Sequence, residues 1–597
     1  MKFHLKINSG SINQFKEEIL FIDKEDQYNW VENQLIAVGS NKHTRIISIK
    51  SKNKTGWLIG DPILEKHKES LIEDYLEESR FASILQMISG HYRLIVFDKK
   101  NFSISVSSSV FGILPLYYCQ AHDAIYISTD SRSLSNVTGQ NKANKRFILE
   151  NILFYYQLFN QTTYKNIQLL PAQHILEISG KGTRFIKHTS IPDWFVQHPK
   201  SWSKSTEEMS DLFIDRVKYY FPDEPYIHAL TGGFDSRSLV SCGLYHRKKF
   251  ETYSFGNEFS DDAKIAAKLS SIPGLKFNLI RLDRDYIVNH SLGDGLQFIS
   301  NSGGNAGFAR AHYLFACKTL SLKSKYLVTG NFGSEIFRAA HNAGAVISSN
   351  LYHLFNARSL DEALRRIKES QEFGWINSLE MEQEWDELKT DISNLPVFKN
   401  EQPGMTQNQK FYLFVLEEVF RKYFGAEMSN QFYYMNNRTP FLDIQFLKEI
   451  FKTGLAGVYS DFFENNPLKR FKGQVLYAHL IRKTYPAYNK VVTEKGYRPE
   501  DLLSFTGKLK ITKSFLNKKL GTSVREVDPN NVADAFGYNK NFFQQQAICP
   551  AIFNVKKFKD SFQSNQDTHD FLIAISQSWF FNKFFEPTRP KINFSFQ

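Results

Sequence analysis

The stretch Tyr226-Ile-His-Ala-Leu-Thr-Gly-Gly-Phe-Asp-Ser-Arg-Ser-Leu-Val240 decides the fold. A short apolar run ends at Leu230 and suits a buried strand. Thr231, Gly232 and Gly233 make a turn, and Asp235 and Ser236 open a helix-compatible segment to about His246. Strand, glycine turn and helix N-terminus in that order build an anion site. Glycines admit a close approach to the backbone, and the first helical N–H groups and the helix dipole point at the ligand. A carboxylate beside such a nest would repel a bare phosphate, so Asp235 reads as holding a divalent cation against it.

Strands and helices alternate onward from this turn. Segments 250–255, 276–282 and 326–329 read as strands, and 260–271, 287–299 and 309–320 as helices. This predicts a parallel sheet covered by helices on both faces, with ligands at the carboxyl ends of its strands. Thr231, Ser254-Phe255-Gly256 and Gly330 fall there. Beyond 345 the segments 359–391, 407–430, 443–454 and 472–484 read as helices. Upstream, residues 1–140 are mostly short apolar runs between turns. Segments 90–98, 102–107, 111–118 and 124–130 read as consecutive antiparallel strands. A helix over 142–159, a polar and aromatic linker over 194–205 and an amphipathic helix over 205–221 connect the two regions.

A chain of 597 residues exceeds one core, and two to four domains are expected. Its composition, 42% hydrophobic and 23% charged, excludes a disordered chain. No signal-peptide core and no run of eighteen apolar residues occurs, so no membrane span is expected. Cys119, Cys242, Cys317 and Cys549 lie far apart and form no CxxC pair. That spacing argues against a zinc site or disulfide framework and fits a reducing cytoplasm. The net charge of +12 suits nucleic acid, or an acidic substrate such as ATP, or a lysine-rich solvated surface. The lysines are spread rather than striped, which disfavours nucleic acid.

Thr231-Gly-Gly-Phe-Asp-Ser236 resembles the pyrophosphate loop (PP-loop) of ATP pyrophosphatases, written Ser-Gly-Gly-x-Asp-Ser; no Gly-Lys-Ser/Thr follows to make it a Walker loop. Gly112 and Pro115-Leu-Tyr-Tyr118 resemble the N-terminal glutaminase-type domain of the asparagine synthetase family, with Ser109 where the family has an acid. That glutaminase uses an N-terminal cysteine, whereas this sequence opens Met1-Lys2-Phe3 and first shows a cysteine at Cys119. The domain is therefore expected to be a relic that makes no ammonia.

Val328-Thr-Gly-Asn-Phe-Gly-Ser-Glu-Ile-Phe337 resembles the family loop T-G-[DE]-G-x-D-E-hydrophobic-F, whose acids hold magnesium. Aligned without a gap, Ser334 replaces the first acid of the pair and Glu335 takes the second; with one inserted residue, Glu335 becomes the metal ligand after Gly333-Ser334. The resemblance implies Asp235 and Glu335 as magnesium ligands, and Glu335 and Lys495 as catalytic. Lys495-Gly496-Tyr497 resembles R-x-K-x-G-[FY], with Thr493 for the Arg and the spacing one residue shorter. In β-lactam synthetase-like members this lysine touches the pyrophosphate and the reacting acyl group. Losing such a point charge would raise the barrier by roughly 3 kcal/mol.

Arg438-Thr-Pro-Phe-Leu-Asp443 matches E-x-R-x-P-F-L-D, with Asn436 for the Glu. Arg438 and Asp443 are expected to form a buried ion pair near the site, substrate contact being the alternative. Ser254-Phe255-Gly256 resembles the adenine-side strand. Asp261 and Asp262 match the family's acid at the next helix, or cap that helix.

The resemblance spans about residues 60–500. It implies an α/β chain in three parts. Residues 1–200 form a degenerate, Ntn glutaminase-like α+β antiparallel-sheet domain. Residues 205–510 form a parallel-sheet PP-loop (adenine nucleotide α-hydrolase-like) synthetase domain with a helical C-terminal part, and 511–597 a mostly helical extension. ATP would be held by Leu230, Thr231, Gly232, Gly233, Asp235, Ser236, Ser254, Phe255, Gly256 and Gly330, together with Mg2+. The implied reaction adenylates a small-molecule or peptide carboxylate, releases pyrophosphate and couples the acyl group to an amine not made from glutamine on this chain, as in β-lactam synthetase or lasso peptide cyclase. The alternatives are a PP-loop tRNA-modifying enzyme and a non-catalytic paralogue acting as a binding subunit. A homodimer is compatible with all three.

Overall fold

The computed structural model describes residues 3–7, 28–32, 36–41, 45–65, 68–121, 124–338, 348–395, 397–398, 404–461, 472–520, 530–564 and 569–586. Among the described residues twelve strands precede residue 190: β1 (Phe3–Ile7), β2 (Tyr28–Glu32), β3 (Ile36–Asn41), β4 (Ile46–Lys50), β5 (Lys54–Ile63), β6 (Ser89–Asp98), β7 (Ser103–Ser108), β8 (Tyr117–Ala121), β9 (Ala124–Ser128), β10 (Gln168–Leu169), β11 (His174–Ser179) and β12 (Gly182–Lys187). They form two antiparallel sheets, β10-β8-β9-β1-β3-β2 and β12-β11-β7-β6-β5-β4.

Side-chain alternation fixes which face each strand buries. Trp57 and Ile59 of β5, Ile95 and Phe97 of β6, and Ile104 and Val106 of β7 meet Ile127 of β9 between the sheets. The intervening Leu58, Leu94 and Val96 face the helices Glu69–Glu77 and Phe81–Met87 through Ile72, Leu76, Ile84 and Leu85. On the far side, Tyr117, Cys119 and Tyr126 cover Leu134 of the helix Ser131–Thr138. The layers therefore run helix, sheet, sheet, helix.

One expectation is corrected here. Residues 111–116 are not a strand, and β7 does not pair with β8. The chain changes sheets between them. Gly112 makes the change with φ 58°, a conformation that suits glycine, and the buried Arg93 donates to the Pro115 carbonyl at 3.2 Å.

The helix Trp202–Val217 begins three residues before the expected Ser205 and leads to the parallel sheet. The order is β15 (Phe277–Arg281), β14 (Phe250–Gly256), β13 (Tyr226–Ala229), β16 (Tyr326–Val328), β17 (Asn436–Arg438), and every pair is parallel. Tyr226, Phe250 and Val328 pack with Leu239 and Leu269 of the helices Asp235–Tyr245 and Asp261–Ser271. On the opposite face, Ile227, Tyr253, Ile280 and Leu327 pack with Ala316, Cys317 and Leu320 of the helix His312–Ser321. The chain builds outward from β13 through β14 to β15, then returns to add β16 on the other side. Strand order reverses there, and a crevice opens at the carboxyl ends of β13 and β16.

Arg438 and Asp443 do not pair with each other. Arg438 donates to both oxygens of Asp61, at 2.7 and 2.9 Å, tying β17 to β5. Asp443 accepts from Arg216 at 3.1 and 3.2 Å and caps the helix Ile444–Ile450 through the Phe446 N–H at 2.9 Å. Ser89 and His91 of β6 bond Asp443 and Thr439 at 3.4 and 2.8 Å. Each is held by a different partner, which keeps the two apart.

The final helices, Phe505–Leu520, Val532–Gln544, Val555–Gln563 and His569–Phe585, share one core with the rest. Phe571, Trp579 and Phe580 belong to the same apolar cluster as Leu149, Phe213, Leu239 and Phe441. No helix among the described residues is long and apolar enough to cross a membrane.

Replacing one partner of a buried ion pair strands the other, at a cost of about 3–5 kcal/mol, whereas an exposed pair contributes well under about 1 kcal/mol. Asp443→Ala is therefore expected to lower the thermal unfolding midpoint by several degrees. Glu449→Ala, which removes the exposed pair with Lys452, should leave it in place.

Candidate functional site

The turn after β13 is held by its own side chains. The Leu230 N–H still donates to the Tyr253 carbonyl of β14 at 2.8 Å, and the chain then leaves the sheet. The Thr231 N–H donates to Ser236 Oγ at 3.0 Å, the Gly233 N–H to Thr231 Oγ1 at 3.2 Å, and the Gly232 N–H to Asp262 Oδ1 at 2.8 Å. A Cβ on Gly232 would lie 2.8 Å from that oxygen, so the contact requires glycine. The buried Arg237 donates to the carbonyls of Gly232, Tyr488 and Val491 at 3.0, 3.3 and 2.7 Å. It thereby fastens the turn to the segment that carries Glu494 and Lys495.

The second turn, after β16, closes against the first. A Cβ on Gly330 would stand 2.8 Å from the Ser236 nitrogen, and one on Gly333 2.9 Å from Asp235 Oδ1 and 2.6 Å from the Tyr477 hydroxyl. Ser334 donates to Asp235 Oδ2 at 2.7 Å, while Asp235 Oδ1 is buried with no hydrogen-bond partner among the described residues. Glu335, in the helix Gly333–Phe337, is buried, and burial pushes its carboxyl up to about 7, with the neighbouring Asp235 pushing the same way. Burial pulls the Lys495 ammonium down to about 8, helped by Arg338 and opposed by Glu494 and Asp235. Desolvation and the neighbouring Asp262 both push the Glu494 carboxyl up.

The structure thus brings Thr231, Gly232, Gly233, Asp235, Ser236, Gly330, Glu335 and Lys495 to one crevice. Ser254, Phe255 and Gly256 end β14 beside it. Thr252 and Gly256 bond toward β15 and Tyr253 toward β13. By alternation, the Phe255 N–H and C=O face the gap that opens once β13 turns away at Leu230. The Phe255 ring points elsewhere, packing on His312 and Tyr313 at 5.0 and 5.2 Å. Arg438 and Asp443 stay outside the crevice, in the ion pairs described above.

Sequence reading passed over Arg338, Ser334 as a donor, Glu494 and Tyr477. It also offered Asp261 or Asp262 as the helix cap, but Ser260 caps that helix through the Ala263 N–H at 3.3 Å, which leaves Asp262 free to hold the loop. A polar residue next to each recognised one (Ser334 beside Glu335, Glu494 beside Lys495) was the available signal.

Magnesium fits these residues. Asp235 presents an unsatisfied buried oxygen next to a second carboxyl, and magnesium commonly takes one or two protein carboxylates and completes its shell from phosphates and water. No group of three or more His, Cys, Asp or Glu able to hold a metal occurs among the described residues.

Residues 67–189 match the glutamine amidotransferase domain family. The chain is 23% identical over 172 residues to asparagine synthetase [glutamine-hydrolyzing] 1 of Bacillus subtilis (strain 168), a match covering 29% of this chain and 27% of that protein. The chain is therefore similar to these proteins over part of its length, and spans about a quarter of the curated relative it matches. Among solved structures, glutamine phosphoribosylpyrophosphate amidotransferase from B. subtilis complexed with ADP and GMP aligns with a TM-score of 0.22 and 8% identity, over 47% of this chain and 65% of that one. An allosteric regulatory enzyme of purine biosynthesis aligns at 0.20 and 10%, over 43% and 60%. Likenesses this slight carry no argument about the present site.

Glu335 holds a proton in the folded chain that an unfolded chain, with an ordinary value near 4.5, has already released. Its contribution is therefore fully present below about pH 4.5 and lost as pH rises through about 7, by about 3 kcal/mol in all. In chelator, the unfolding midpoint of the wild-type chain should fall more between pH 5 and pH 8 than that of Glu335→Gln. Identical slopes would refute the buried acid.

Proposed function

We propose that the chain is an ATP- and magnesium-dependent amide-forming ligase that adenylates a carboxylate, releases pyrophosphate and passes the acyl group to an amine. One observation carries this reading: Asp235, Glu335 and Lys495, from three distant segments, converge where strand order reverses in a parallel sheet, directly above a glycine turn and helix N-terminus. The partial similarity to an asparagine synthetase points the same way.

Chemically, a substrate carboxylate oxygen attacks the α-phosphorus of ATP and the bond to the β-phosphate oxygen breaks, leaving an acyl-adenylate and pyrophosphate. The amine then attacks the acyl carbon, AMP departs, and the amine loses a proton. The Phe255 backbone groups offer one donor and one acceptor to the adenine edge. Asp235 and Glu335 would hold magnesium, which neutralises phosphate charge when bound. Glu335 releases its proton to do so. Lys495, protonated below about pH 8, opposes the negative charge that builds during both displacements.

The amine comes from elsewhere on this reading. Cys119, Cys242, Cys317 and Cys549 are all buried. Burial raises Cys119 to about 11 and Cys242 to about 12 and pushes Cys317 up as well. None of these three is a thiolate near neutral pH, and glutamine hydrolysis by a cysteine needs one. Their wide separation in sequence also suits a reducing cytoplasm.

Pyrophosphate release across candidate carboxylates tests the assignment. Asp235→Asn is expected to reduce it by at least about 100-fold, and Lys495→Met by about the same factor, roughly 3 kcal/mol. Both variants should keep the wild-type circular dichroism. Wild-type turnover in Asp235→Asn would remove the site. Failure to bind magnesium-ATP at all would leave the binding-subunit reading, and turnover that requires tRNA would favour a tRNA-modifying enzyme.

A further inference from the structure

Arg338 follows the helix Gly333–Phe337 and is held from both sides. A Cβ on Gly473 would collide with Phe337, and one on Gly457 with the Arg338 carbonyl oxygen, so glycine at both positions lets the backbone pass between them. The Arg338 N–H donates to the Ser334 carbonyl at 3.0 Å, which fixes the residue to the same short helix that carries Glu335. Its Nε is buried and has no hydrogen-bond partner among the described residues. A buried donor of this kind costs free energy unless something accepts from it.

The guanidinium lies close enough to Glu335, Glu494, Lys495, Tyr477 and Tyr497 for its charge to bear on each. Arg338, whose Nε is buried, and the half-buried Lys495 therefore stand close to one another, with Asp235 beside Lys495. Like charges in a low-dielectric pocket repel until an anion comes between them. Glu494 shares Arg338 as a neighbour, and its Cβ lies 3.6 Å from where a Gly232 Cβ would be, so the pair of cations overlooks the glycine turn.

The geometry points to Arg338 as a second cation for the ATP polyphosphate, opposite Lys495, gripping the β- and γ-phosphates that depart as pyrophosphate. The inference rests on the adenylating reading of the site. A substrate carboxylate brings a single charge, which Lys495 alone balances. Two cations together with a divalent ion match the higher charge of the polyphosphate. The guanidinium fork also presents parallel donors that suit two phosphate oxygens, which an ammonium cannot do.

Calorimetric titration of the full chain with magnesium-ATP, magnesium-pyrophosphate and AMP tests this. Arg338→Gln is expected to weaken ATP and pyrophosphate by about 10- to 100-fold and to leave AMP within about threefold, the unchanged AMP reporting an intact fold. Arg338→Lys, which keeps the charge but not the fork, should fall between. Wild-type affinity for ATP and pyrophosphate in Arg338→Gln, or an equal loss for AMP, overturns the inference while leaving the proposed function standing. If Arg338→Gln does not fold, wild-type pyrophosphate affinity in Arg338→Lys overturns it instead. A wild-type chain that binds none of the three ligands overturns the proposed function and this inference together.

Discussion

The close approach of two turns governs this molecule. Gly330 and Gly333, after β16, lie against the first residues of the helix that follows β13, at distances no side chain would permit. That approach sets Ser334 on Asp235 and puts Glu335 beside it. Two carboxyl groups in a buried pocket are unfavourable unless one keeps its proton or a cation joins them. Ser334 eases the arrangement by donating to one oxygen of Asp235. The other oxygen has no hydrogen-bond partner among the described residues, and Lys495 lies near enough for the Asp235 charge to bear on it.

Holding the turns in register falls to groups outside the crevice. β17 lies next to β16, and Arg438 at its end is clasped by Asp61 of the antiparallel sandwich. Five residues on, Asp443 is clasped by Arg216 and touched by Ser89. On the other flank, Arg237 binds the glycine turn to the segment leading to Lys495 through three carbonyls. These contacts fix the backbone on both sides of the crevice, and the acid and base groups inherit their positions from it.

Four strands of the parallel sheet were legible because each is a short, largely apolar run bounded by turn residues; β17, Asn436-Asn437-Arg438, is polar and carries no such signal. Pairings between distant segments were not legible. Arg438 and Asp443 stand five residues apart and carry opposite charges, so proximity in sequence suggested a pair. Their actual partners, Asp61 and Arg216, come from a different sheet and a different helix, and no local pattern announces either. The same holds for Asp262 on Gly232 and Glu494 beside it. The exchange of sheets at Gly112 was hidden because residues 111–118 form a nearly continuous apolar run, although the positive φ at Gly112 ends one sheet before the next begins.

Those cross-links tie the sandwich to the parallel sheet. Asp61, Ser89 and His91 neutralise or bond Arg438, Asp443 and Thr439, and Glu65 shares Arg216 at 2.8 Å. Deleting the sandwich would remove Asp61 from Arg438 and Glu65 from Arg216, and with them the ties that position β17 and the helix after it. The same cut would open the core where Phe111, Phe147 and Leu153 pack against Phe420 and Trp579. The polar groups of the sandwich thus serve as counter-charges for the neighbouring sheet and helix. Here they hold β17 and the helix after it, and through β16 the turn that carries Glu335.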